Sequence, residues 1–66
     1  MKEKIVIVGG GGHAKVIIDA IVSRNKLDIA GIVDPSLPKG FKVIGVSVLG
    51  NDSLLKQIFK KGIRIS

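Results

Sequence analysis

The sequence predicts an α/β fold, a parallel sheet with flanking helices, and three observations carry that expectation. The apolar content of 45% is almost wholly aliphatic, with Phe41 and Phe59 as the only aromatic residues. Its Ile- and Val-rich runs are continuous rather than alternating, which suits strands covered on both faces. Between the first two such runs lies a segment of helical periodicity, opened by four consecutive glycines.

Lys4-Ile5-Val6-Ile7-Val8 is an apolar run of strand length that ends at Gly9. Gly9 to Gly12 cannot continue a strand, and from His13 to about Arg24 the pattern turns helical. Lys15, Asp19 and Ser23 recur every four residues on a polar face. Val16, Ile17, Ile18, Ala20, Ile21 and Val22 supply a broad apolar face to lie on a sheet. Asn25-Lys26 ends the helix, and Ile29–Val33 reads as a second buried strand closing at Asp34. Residues 35–40, with two prolines and a glycine, form a loop.

Val43–Leu49 reads as a third strand, interrupted by Gly45. Asn51 or Asp52 then caps a second helix, because short polar side chains satisfy the free N–H groups of a first turn. Leu54, Leu55, Ile58 and Phe59 recur at helical spacing, and Gly62 sits where a left-handed cap belongs. Ile63–Ser66 begins a fourth strand. The order β-α-β-β-α-β is that of half a doubly wound, Rossmann-like domain, with a parallel sheet expected in the order 3-2-1-4. Residues 1–66 make one such domain. Its end inside a strand suggests a piece of a longer protein, with an unpaired edge around Ile63–Ile65.

The absence of cysteine excludes disulfides and thiolate metal sites, and no metal-ligand set is expected. The apolar run Ile5–Val8 is far too short for a signal peptide or membrane span, so the expected setting is cytoplasmic without membrane association. A net charge of +6 raises nucleic acid as a partner. The cations are scattered, apart from Lys56, Lys60 and Lys61, and no aromatic residues are interleaved for stacking bases. General attraction for phosphorylated ligands accounts for the charge better.

The chemistry is concentrated in Gly9-Gly10-Gly11-Gly12-His13-Ala14, which satisfies G-x-G-x-x-G/A directly after a buried strand and at the start of a helix. Gly9 permits the tight turn, Gly11 lets backbone approach a diphosphate, and Ala14 lets helix pack on strand. The N–H groups of the first turn then face the anion. Asp34 follows Ala14 by twenty positions, where the fingerprint places an acid that accepts hydrogen bonds from ribose. His13, the sole histidine, stands in the first helical turn as a donor to a phosphate or sugar, and no second acid or base beside it suggests catalysis. Lys15 is not part of a Walker motif, which excludes P-loop ATP hydrolysis.

Three segments together resemble one family. They are Ile5 to Val16 with its G-x-G-G-H element, Ala30-Gly31-Ile32-Val33-Asp34, and Val43-Ile44-Gly45-Val46-Ser47-Val48-Leu49-Gly50. They are similar to the N-terminal domain of the PglD/NeuD-type sugar O- and N-acyltransferases, and the resemblance extends over nearly the whole chain. It implies a domain that binds a nucleotide-linked amino sugar, typically a UDP-sugar. Gly9, Gly11, Gly12 and His13 would line the diphosphate and sugar, and Asp34 the nucleoside. Where the family often has two acids after the second strand, this sequence has Asp34 and then Pro35.

The family's acetyl-CoA site, catalytic histidine and trimer contacts lie in a C-terminal β-helix of hexapeptide repeats. These residues contain no such repeat, so the resemblance implies a substrate-binding part with no cofactor or catalytic residue of its own. Two other functions share the fingerprint: the NAD(P)-binding domain of an oxidoreductase, and a nucleotide-sensing module without catalysis.

Overall fold

The computed structural model describes residues 2–66. The elements follow in the order β1 (Glu3–Val8), α1 (Gly12–Arg24), β2 (Leu27–Val33), β3 (Lys42–Val43), β4 (Val46–Gly50), a 3₁₀ turn (Asp52–Leu54), α2 (Leu55–Lys60) and β5 (Arg64–Ile65). They build a five-stranded sheet in the order β3-β4-β2-β1-β5.

β1 is an interior strand, parallel to β2 on one side and β5 on the other, and β2 is parallel to β4. These four strands keep the expected parallel order. The expected third strand is in fact two, and β3 runs antiparallel to β4 at the sheet edge. The cause lies at Ile44 and Gly45, whose φ angles are 49° and 79°. Two consecutive positive φ values are what a two-residue hairpin turn of type I′ requires. Glycine adopts that conformation without strain, whereas a β-branched residue does so at a cost of about 1–3 kcal/mol. The hairpin thus replaces a crossover helix between β2 and β4, across a stretch whose two prolines and glycine oppose one. The outer strand is only two residues long and carries exposed Lys42, features that discourage pairing with another chain.

Alternation along the central strands divides the core into two layers. Ile7, Ile32 and Val48 face α1, where Ala14 and Ile18 are buried against them. Val6 and Val33 face the opposite side and meet Ile58 of α2. α1 covers less than its sequence pattern suggests: Ile17 and Ile21 are half-buried, while Val16 and Val22 remain 66% and 64% exposed. A helix lying on a flat sheet buries one stripe, and the positions beside that stripe face water. Phe59 departs likewise from the apolar face of α2 and is 76% exposed.

The helix ends follow local chemistry. Asn51 Oδ1 accepts from the Ser53 N–H at 2.9 Å, at the start of the 3₁₀ turn. At the end of α2 the Gly62 N–H donates to the Phe59 carbonyl and the Ile63 N–H to the Ile58 carbonyl, a Schellman motif with Gly62 at φ 76°. β5 forms the opposite edge, where Arg64 pairs with Glu3 at 3.0 Å. That ion pair is solvated on both sides and adds little stability.

Candidate functional site

Because β1, β2, β4 and β5 are parallel, their carboxyl ends share one edge of the sheet. The β1–β2 crossover passes over one face through α1, and the β4–β5 crossover passes over the other through α2. The two diverge between β1 and β5, which makes the end of β1 a topological switch point. The glycine loop lies at that point.

Each loop residue has a distinct task. Gly9 turns the chain with φ at 91° while its N–H donates to the Val33 carbonyl. Gly10 points inward: its N–H donates to Asp34 Oδ2 at 2.7 Å. A Cβ at Gly10 would stand 2.4 Å from Leu37 Cδ1, so a larger residue there would displace the end of that side chain. The sequence fingerprint gave it no role. Gly11 precedes α1 in an extended conformation, and its carbonyl accepts from the Ala14 N–H at 3.0 Å. That leaves the N–H groups of Gly11, Gly12 and His13 as the first-turn donors that no i−4 carbonyl can serve. Space above Gly11 and Gly12 is open, with no atom within 4 Å of a Cβ at either. His13 is exposed beside them.

Asp34 stands next to the loop as expected, but its carboxylate faces inward. It is 8% exposed. Besides the Gly10 N–H, it accepts at Oδ1 from the Ser36 N–H at 2.7 Å, the Ser36 hydroxyl at 2.8 Å and the Leu37 N–H at 3.1 Å. Three of these donors gather at Oδ1 and one at Oδ2, which keeps further acceptor capacity. Asp34 thereby ties the glycine loop to the turn after β2. Ser36 and Leu37, which the sequence reading passed over, complete this clamp.

The donors also set the acidity of the group. The Gly10 N–H, and then the Ser36 N–H and hydroxyl, lower the Asp34 pKa from 3.8 to about 2, while burial acts weakly in the opposite direction. A carboxyl with a lowered folded-state pKa contributes stability in full above its unfolded value and loses it as pH falls through the folded one. The stabilisation is therefore present above about pH 4 and disappears toward pH 2. Denaturation midpoints measured from pH 6 to pH 2 should fall more steeply for the native chain than for Asp34→Asn. Parallel profiles would remove the clamp from the account.

On the α1 side of the loop is a groove of about 440 Å³, lined by Gly10–Gly12, Lys15, Leu37 and the hairpin residues Phe41–Ile44. Lys15 and Lys42 are exposed there. A second groove of about 410 Å³ lies at the other end of α1, near Arg24, Lys26 and Arg64, away from the loop. Among the described residues no group of three or more His, Asp or Glu side chains is placed to hold a metal ion. Among the described residues no helix is long and apolar enough to cross a membrane.

The sequence matches the model of the PglD N-terminal domain over residues 4–65. None of the curated proteins compared with it matches significantly. Two solved structures are similar, both of histidine variants of an enzyme from Caulobacter crescentus. One is described as perosamine N-acetyltransferase and the other as GDP-perosamine N-acetyl transferase, each in complex with CoA and GDP-perosamine. Each superposes with a TM-score of 0.79 at 38% sequence identity, covering 94% of this chain and 29% of the other.

Proposed function

This chain belongs to the PglD N-terminal domain family, and from that premise we propose that it is the nucleotide-sugar-binding part of an acetyl-CoA-dependent sugar acetyltransferase of glycan biosynthesis. The observation that carries the reading is the loop at the switch point. Gly11, Gly12 and His13 present unserved N–H groups at the positive end of α1 beneath open space. A diphosphate placed there receives charge-assisted hydrogen bonds without displacing any protein contact.

Gly9 shapes the loop, Gly11, Gly12 and His13 contact the diphosphate and adjoining sugar, and Asp34 holds the loop in place. The family resemblance favours a UDP-sugar, while the similar Caulobacter crescentus enzyme was crystallised with GDP-perosamine. The shared chemistry is a nucleoside diphosphate carrying an amino sugar. This chain spans 29% of that enzyme's length, and CoA was bound in the same complexes. Acetyl transfer from acetyl-CoA and trimer formation are accordingly assigned to the rest of such a protein.

Titration of the chain with a UDP-amino sugar, a GDP-amino sugar and NADH, followed by amide chemical shifts, tests the reading. At least one nucleotide sugar should move the Gly11, Gly12 and His13 resonances at lower concentration than NADH. Tight NADH binding with neither sugar nucleotide bound would replace the acetyltransferase reading with the oxidoreductase one.

A further inference from the structure

Asp34 is engaged by four donors of the chain itself, and side chains better exposed to meet a nucleoside lie near the loop. The groove between the loop and the β3–β4 hairpin holds them. Val43 is buried at its base, and Leu37 is half-buried against the same core. Phe41 and Ile44 stand out from its wall, 48% and 53% exposed. Lys15 lines it from α1 and Lys42 from β3.

Phe41 is one of two aromatic residues in the chain, and it is the one beside the loop. Its main chain is fixed at both ends: the N–H donates to the Pro38 carbonyl at 3.0 Å, and its carbonyl accepts from the Val48 N–H at 2.7 Å. An exposed ring on a fixed backbone is a surface on which a flat partner can stack at little cost in ordering. Apolar side chains and two cations lining one groove match the base and the phosphates of a nucleotide.

We infer that Phe41 is the stacking platform for the nucleobase, and that Lys15 and Lys42 neutralise the phosphates between that base and the glycine loop. The inference rests on the nucleotide-binding reading above and adds where the base lies and what discriminates a nucleotide from a bare diphosphate. Every base presents a π face, so stacking makes the site a reader of nucleotides as a class. The nucleoside then lies on the hairpin side of the loop.

The test compares inorganic pyrophosphate, UDP and GDP as ligands of the native chain, Phe41→Ala and Phe41→Leu. Phe41 ring protons in the native chain should shift upfield with UDP and GDP and stay in place with pyrophosphate. Both variants should bind the nucleotides roughly 5- to 150-fold more weakly, the range that loss of one stacked base gives. Their affinity for pyrophosphate should be unchanged, which also shows that the loop is intact. Phe41→Leu keeps an apolar side chain in the groove, so equal losses in the two variants isolate the ring. Native-like nucleotide affinity in either variant would overturn the assignment while leaving the phosphate site standing. Failure of all three ligands on the native chain would overturn both readings together.

Discussion

Ile32→Ala is expected to leave most of the chain unfolded at room temperature. Ile32 lies directly opposite Ile7 in the β1–β2 register, and neither side chain is reached by solvent. Both face α1 in the layer that also holds Ile18 and Val48. Truncating a fully buried Ile to Ala costs about 2–5 kcal/mol, through lost transfer energy and the cavity left behind. A core of this size seldom supplies more than about 3–5 kcal/mol in total. The two ranges overlap, so the variant should show no cooperative thermal transition by far-UV circular dichroism. Ile32→Val, which removes a single methylene and keeps the β-branch, costs about 0.5–1.5 kcal/mol and should still melt cooperatively. A well-folded Ile32→Ala would place the stabilising core elsewhere.

Gly11→Val is expected to have the opposite profile, a folded chain that no longer binds diphosphates. Gly11 has φ −79° and ψ −163°, a conformation open to valine, and a Cβ there meets nothing within 4 Å. The stability cost is that of a poorer helix cap, about 1 kcal/mol. The added methyl groups are instead expected to obstruct the approach of an anion to the Gly12 and His13 N–H groups. Hydrogen bonds to a charged group contribute about 1.5–3 kcal/mol each, so losing two of them weakens binding about a hundredfold or more. Calorimetric titration with pyrophosphate and UDP, beside a thermal melt, separates the two effects. Unaltered affinity would mean that the anion does not approach the first turn of α1.

Much of this architecture is legible in the residues, where local chemistry and tertiary packing demand the same thing. Ile5–Val8 reads as a buried central strand because both its faces are apolar, and the sheet buries both. Gly62, and Asn51 or Asp52, read as caps because such roles depend only on the turns beside them, and Asn51 is the one that accepts the Ser53 N–H. The hairpin does not read so easily. Gly45 interrupts the third strand visibly, but nothing local announces that Ile44 will take a left-handed conformation. Closure of β3 on β4 imposes it, against the preference of the side chain.

The site divides along the same line. The loop, its helix and the acid after β2 follow from spacing, whereas the direction in which the acid points does not. Asp34-Pro35-Ser36 does carry a signal that was there to be used: an Asp that accepts from the N–H two residues on is an Asx-turn, and the 2.7 Å bond to Ser36 is one. Phe41 is hidden for a different reason. It lies beside the glycine loop next to a hairpin that the sequence does not announce, and by itself it carries no signal of a site.

The hydrogen bond from Gly10 to Asp34 bears on the speed of recognition. A glycine-rich segment left to itself samples many shapes, and a ligand must wait for the competent one or induce it. Here the segment is secured from beneath, and its outward donors are set before any ligand arrives. If the loop binds nucleotides as proposed, encounter is expected to be governed by diffusion and by the pull of a chain with net charge +6 on a polyanion. Competing nucleotides should consequently arrive at similar rates and differ in how long they stay, with selectivity expressed as residence time.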